Sequence, residues 1–149
     1  MNLFGLMDLS GSALHAQRVR AEVVAANMAN AETTRTEDGL PYQRKSVVLQ
    51  STGSSTFAGL MKGFGRLRGA AEPEGGVEVA NIATSDRPAL RRYDPSHPDA
   101  DGNGYVNYPD IDPVTEMVDL MGAGRSYGLN ATALQAEKAM LTASIDILK

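Results

Sequence analysis

The chain has 149 residues, no cysteine and no tryptophan, and a formal net charge of −4. This length fits one ordinary domain, and the lack of cysteine excludes a disulfide framework, a thiol nucleophile and a cysteine-ligated metal. The acidic balance argues against a nucleic-acid partner, and no apolar run reaches the roughly 18 residues that a membrane-spanning helix needs.

The N-terminal residues are predicted to form one amphipathic helix over Leu3–Ala29. Residues three and four positions apart give it an apolar row: Leu3, Met7, Ser10, Leu14, Gln17, Ala21, Val24 and Met28. Asparagine tolerates the left-handed conformation that ends helices, so Asn27 and Asn30 indicate the helix end. The segment lacks the basic start and continuous apolar stretch of a secretory signal, so we expect no cleaved signal peptide.

The middle of the chain is predicted to be β-rich. Alternating or β-branched runs indicate strands at 45–50, 76–82, 89–93 and 104–108. Residues 51–75 are rich in glycine and serine, and we expect them to form a mobile loop.

The C-terminal residues 113–149 are predicted to form a second helix of roughly 55 Å, capped by Asp112 with Pro113 in its first turn. Two apolar rows follow its length. The first, the packing row, is Met117, Leu120, Tyr127, Leu134, Leu141, Ile145 and Leu148. The second, the assembly row, is Leu129, Ala133, Ala136, Met140, Ala143 and Ile147.

Two apolar rows on one helix require two sets of partners. We expect the packing row to contact Leu14, Ala21 and Val24 on the N-terminal helix of the same chain. The assembly row would then contact a neighbouring molecule, although the two rows could exchange these roles.

The sequence contains few residues that could carry out catalysis or bind a metal. Two histidines cannot build a usual zinc set, and nothing suggests a catalytic triad or a cofactor, so we expect no enzyme. Asp99, Asp101, Asn103 and Asp110 have the spacing of a calcium loop, but Asp110 replaces the glutamate that such loops place last. We interpret the segment as a tight turn, with Gly102 and Gly104 at positive φ, rather than as a metal site.

Several separate motifs occur in one order along nearly the whole chain apart from 51–75. They are SGSALHAQR at 10–18, ANMANAETT at 26–34, GLPYQRK at 39–45, YDPSHPDAD at 93–101, GYV at 104–106, EMVDLM at 116–121, RSY at 125–127 and Asn130. In these motifs the sequence resembles the rod proteins of the bacterial flagellar basal body, and among them a proximal-rod member.

The resemblance implies an α+β, predominantly helical fold. The terminal helices, 1–31 and 112–149, would pair as an antiparallel coiled coil, with the small β-rich insert 32–111 between them. It also implies a structural subunit, without cofactor, that polymerises helically with itself and other rod proteins into the drive shaft through the periplasm. Further implied partners are the basal-body ring at the rod base and the flagellar export apparatus.

Within the matching motifs, Asn27, Asn30, Pro41 and Tyr42 would define the exit from the first helix into the insert. We expect Arg125 to meet an acidic side chain, either Asp119 or a carboxylate on another subunit. Gly122, Gly124 and Gly128 would weaken an isolated helix unless close packing on other helices offsets the cost. A calcium-binding module and a soluble coiled-coil adaptor remain the alternative functions.

Overall fold

A computed structural model describes residues 3–52 and 75–147, with side chains from residue 5 onward. Two long helices enclose four short strands in sequence: α1 (Leu3–Ala29), β1 (Lys45–Ser51), β2 (Val77–Thr84), β3 (Leu90–Tyr93), β4 (Tyr105–Tyr108) and α2 (Pro113–Asp146). The predominantly helical α+β class is therefore confirmed. Most of the predicted mobile loop, 51–75, lies outside the described residues. Leu148 of the packing row also lies outside them.

The helices begin and end close to the predicted positions. The Asp112 carboxylate caps α2 by accepting the Val114 N–H at 3.1 Å and the Thr115 hydroxyl at 2.6 Å. At the end of α1, no described residue other than glycine has a positive φ, so the left-handed ending was wrong. Instead, the Asn30 amide donates to the Ala26 carbonyl at 2.8 Å and satisfies part of the last turn.

The strands form two separate two-stranded antiparallel sheets. In the first, β1 pairs with β2 from Lys45 opposite Thr84 to Ser51 opposite Val77, with an irregularity between Val48 and Leu49. In the second, β3 and β4 pair so that Tyr93 lies opposite Tyr105. The centroids of the two rings lie 5.3 Å apart in an edge-to-face arrangement, which stabilises such cross-strand pairs.

The two helices contact each other, and α1 also contacts β1 and β2. Ser10 of α1 meets Glu137, Arg20 meets Asp119, and Asn27 meets Glu116. Residue numbers thus rise along α1 while those of their partners fall along α2.

The buried core of the described residues is small. Its apolar members are Ala16, Val23, Val24, Val106, Ile111 and Ala123, and none of them is aromatic. Four polar residues are buried beside them: Ser10, Asn27, Glu116 and Glu137. By contrast, many large apolar side chains are exposed, which indicates surfaces for contact with other molecules. Neither described helix has an apolar stretch of membrane-crossing length.

Candidate assembly surface and helix–insert junction

A buried polar junction joins the end of α1, the start of β1 and the start of α2. Its centre is Asn27, whose side chain is 0% exposed. The Asn27 amide donates to the Lys45 carbonyl at 2.8 Å and to Glu116 Oε2 at 3.0 Å. Its Oδ1 accepts the Lys45 N–H at 2.9 Å and the Tyr42 hydroxyl at 3.2 Å. One side chain therefore fixes three segments of the chain by four hydrogen bonds.

The second centre of the junction is Glu116, which is 1% exposed. Its Oε1 accepts a hydrogen bond from Arg44 Nε at 2.6 Å, so the buried charge is paired and hydrogen-bonded. Arg44 also lies 3.8 Å from Asp119, and Arg20 approaches the other oxygen of Asp119 at 3.4 Å. Removing one partner from a fully buried pair typically costs about 3–5 kcal/mol, and the cost here is smaller because the Arg44 side chain is 32% exposed.

Tyr42 lies at the edge of the same junction. Burial raises the pKa of its hydroxyl above the ordinary value, and the negative charge of Glu116 raises it further. The hydroxyl proton is thereby held in place to donate to Asn27. The sequence indicated Asn27 and Tyr42 but missed Arg44 and Glu116, because the three segments that carry these residues come together only in the fold.

The other motif residues are placed differently. Asn30 accepts the Thr33 hydroxyl at 3.2 Å, and Pro41 is half-buried next to Tyr42. Asn130 is half-buried on α2, seven residues from both Ala123 and Glu137. Arg125 is exposed and makes no ion pair within the described residues. It cannot meet Asp119 as suggested, because residues six apart lie on different sides of a helix.

The face of α2 turned toward the fold differs from the predicted packing row. Its buried residues are Glu116, Ala123 and Glu137, and none of them belongs to the packing row. Leu120, Leu134 and Leu141 of the packing row are half-buried. Met117, Tyr127 and Ile145 are instead 51%, 45% and 50% exposed. The sequence pattern misplaced this face because it counted the two buried glutamates as surface residues.

On α1, Val24 is buried and Leu14 and Ala21 are half-buried. Ser10, nearer the N-terminus, donates its hydroxyl to Glu137 Oε1 at 2.8 Å. Glu137 is only 4% exposed, its Oε2 has no partner, and it makes no ion pair within the described residues. Such an uncompensated buried charge lowers stability.

The assembly row of α2 is exposed throughout. Leu129, Met140 and Ile147 are 68%, 52% and 85% exposed, and the three alanines of the row, Ala133, Ala136 and Ala143, are exposed as well. These exposures show that a single chain leaves the row uncovered.

The segment that resembles a calcium loop, 99–110, forms a turn in which backbone N–H groups donate to the Asp101 carboxylate. Asp101 Oδ1 accepts the N–H groups of Asn103 and Tyr105 at 2.8 and 2.9 Å, and these bonds hold the Asp101 pKa below its usual value. Gly104 has φ of 79°, whereas Gly102 does not have the expected positive φ.

The carboxylates of Asp99 and Asp110 have separate partners. Asp99 accepts the Thr34 hydroxyl at 2.8 Å, and Asp110 lies 3.4 Å from Arg87. No cluster of three or more histidine, aspartate or glutamate side chains within the described ranges could hold a metal ion.

Two segments of the chain match models of known protein families. Residues 7–35 match the family model described as "Flagella basal body rod protein", and residues 103–147 match "Flagellar basal body rod FlgEFG protein C-terminal". The two matches cover most of α1 and the segment from β4 through α2.

Full-length relatives agree with these matches. The flagellar basal-body rod protein FlgC of Bacillus subtilis strain 168 is 42% identical over 100% of both chains. FlgC of Salmonella typhimurium strain LT2 is 38% identical over 99% of this chain and 98% of its own. FlgC of Borreliella burgdorferi strain B31 is 34% identical over 100% of this chain and 99% of its own. The chain therefore belongs to the FlgC family of flagellar basal-body rod proteins, and it is a structural subunit of the rod.

Proposed function

We propose that this subunit builds the proximal rod by helical polymerisation, with further copies of itself and with other rod proteins. The resulting shaft would transmit torque through the periplasm. Repetition of a head-to-tail contact extends into a helical assembly, so a modest contact per subunit suffices.

The observation that carries this proposal is the exposed assembly row on α2. Leu129, Met140 and Ile147 are each more than half exposed although they are large and apolar. Burying one such side chain contributes roughly 1.5–3 kcal/mol, and three on one helix face form a surface that favours protein contact. Neighbouring subunits are the proposed occupants of this row.

The two terminal helices would act as one unit, the antiparallel coiled coil of residues 1–31 and 112–149. The order of the contacts between α1 and α2 supports this pairing, since Ser10 meets Glu137 and Asn27 meets Glu116. The insert 32–111 would then project from the coiled coil at a defined angle. The hydrogen bonds of Asn27 to Lys45 support a fixed angle, because they tie β1 directly to α1.

The remaining parts of the proposal rest on the family. We infer contacts with the basal-body ring at the rod base and with the flagellar export apparatus, and export to the periplasm without a cleaved signal. We further infer a purely structural role, without catalysis or cofactor.

Replacing Met140 with aspartate tests the proposal. Because Met140 is exposed, Met140→Asp is expected to fold but to place a charge inside the proposed contact between subunits. The matched control is Gln135→Asp, an exposed polar position on the same helix outside the assembly row. Both variants would be expressed in cells lacking the native subunit, and rods would be counted in isolated basal bodies.

The expected result is a loss of rods with Met140→Asp and normal rods with Gln135→Asp. Circular dichroism of each purified variant checks that the helices are retained. Rods at the native level built from a folded Met140→Asp chain would contradict the proposal.

A further inference from the structure

Three exposed charges on the terminal helices have no ion pair within the described part of the chain: Asp8 on α1, and Arg125 and Lys138 on α2. Of the two bases, only Arg125 has a glycine three residues before it and another three residues after it. The other arginines near α1 and α2 differ, since Arg18, Arg20 and Arg44 each have an acidic neighbour within 4 Å. Asp8 and Arg125 are therefore an acid and a base available to another molecule.

The surroundings of these two residues match. Asp8 has Gly5 and Gly11 three residues before and after it on α1. Arg125 has Gly122 and Gly128 at the same spacing on α2. Residues three apart are neighbours on a helix surface, so each charge stands between two positions without side chains.

The glycines of α2 have no contact within the chain that explains them. A Cβ added at Gly122 or Gly128 would meet nothing within 4 Å, and the same is true at Gly11 of α1. Glycine inside a helix lowers its stability, so these positions carry a cost that contacts in one subunit do not offset. Close approach of a second backbone is the physical use of such positions.

Large apolar side chains flank Arg125 as well. Met121 and Leu129 lie one turn on either side and are 62% and 68% exposed. Leu129 also belongs to the assembly row, so the surface around Arg125 is continuous with the proposed subunit contact. A single arginine surrounded by apolar side chains that exclude water is a typical centre of a protein interface.

The two charges cannot meet within one chain. Asp8 lies two residues from Ser10, which is hydrogen-bonded to Glu137 of α2. Arg125 is twelve residues from Glu137 along α2, about 18 Å at 1.5 Å per residue. That span exceeds the combined reach of an aspartate and an arginine.

We propose that Arg125 of one copy forms an ion pair with Asp8 of a second copy of this chain, with the flanking glycines allowing α2 and α1 to approach closely. This inference rests on the proposed function, since it specifies one contact in the rod. Opposite charge, the matching spacing of glycines and the continuity with the assembly row identify the occupant. Asp8 lies two residues beyond the Ser10–Glu137 contact, so for two copies in the same orientation the contact sets an axial displacement of about 21 Å.

Charge reversal tests this pair. Asp8→Arg and Arg125→Asp are each expected to reduce the number of rods at least about tenfold, because each single variant opposes like charges inside a desolvated contact. The double variant Asp8→Arg with Arg125→Asp restores an opposite pair and is expected to recover rods to within about twofold of native. The control Glu22→Arg reverses another exposed acid of α1 and is expected to leave rods unchanged. Failure of the double variant to exceed both single variants would overturn the pairing.

Cysteine cross-linking gives a second readout that does not depend on charge. The chain has no cysteine, so Asp8→Cys with Arg125→Cys introduces its only two thiols. Treatment of isolated basal bodies with a short bis-maleimide is expected to link neighbouring copies into dimers and longer chains. Glu22→Cys with Arg125→Cys is the control, and it is expected to give no more product than either single-cysteine chain.

Rods without this specific cross-link would overturn the inference while leaving the proposed function intact. If the native chain were absent from the rods of isolated basal bodies, the proposed function itself would fail. The same preparation of basal bodies therefore distinguishes a failure of this inference from a failure of the proposed function.

Discussion

Replacing Asn27 with alanine is expected to loosen the connection between the terminal helices and the insert. The native side chain is fully buried and makes four hydrogen bonds, to Lys45, Glu116 and Tyr42. In Asn27→Ala the N–H and carbonyl groups of Lys45 lose their partner, as does one oxygen of Glu116. Alanine leaves room but supplies neither a donor nor an acceptor.

The expected loss of stability follows from the polar groups that are left without a hydrogen-bond partner. Each buried polar group left without a partner costs about 1–3 kcal/mol, and Glu116 retains its bond from Arg44. The hydrogen bonds to the two backbone groups of Lys45 are only part-buried, so water can replace some of what is lost, and we expect the free energy of unfolding to fall by about 2–3 kcal/mol. Urea unfolding of the purified chain, followed by far-UV circular dichroism, measures this change.

Asn30→Ala is the matched control, because it removes the same side chain three residues later. The Asn30 amide bonds only within its own turn, to Ala26 and Thr33, so its loss should cost about 0.5–1 kcal/mol. Equal, small effects of the two substitutions would refute the claim that Asn27 ties the insert to the helices.

Two further predictions concern ionisable groups. Glu137→Gln is expected to raise the free energy of unfolding by about 1 kcal/mol, because it removes a buried carboxylate oxygen that has no partner and keeps an acceptor for Ser10; a lower free energy of unfolding in urea would contradict this. For Tyr42, the raised pKa means that the folded chain holds the hydroxyl proton more tightly than the unfolded chain, whose tyrosine pKa is about 10. Its contribution is thus fully present below that pH and is lost as the pH rises through the folded-state pKa. In an ultraviolet absorbance titration, one of the 5 tyrosines should titrate late, and Tyr42→Phe should remove that component; an unchanged titration curve would contradict the buried junction.

The sequence predicted the helices well because their signals are local. Asp112 and Pro113 specify the start of α2, and the steps of three and four residues define its length. The four strands were likewise found from alternation and turn residues, to within one or two positions.

The inward face of α2 was harder to predict, because apolarity alone was used to find it. That face carries Glu116 and Glu137, whose burial depends on Arg44 in the insert and on Ser10 in α1. No local pattern shows that a glutamate will meet a distant arginine. The pairing of Asn27 with Lys45 was missed for the same reason, since it joins residues 18 positions apart.

A density map of the intact basal body at side-chain resolution would show directly whether the assembly row of α2 contacts neighbouring subunits. We predict that Leu129, Met140 and Ile147 lie within about 4.5 Å of apolar side chains on a neighbouring subunit. The same map would show the guanidinium of Arg125 beside Asp8 of another copy. An assembly row that faces solvent or the shaft interior along the whole rod would contradict assembly through this face of α2.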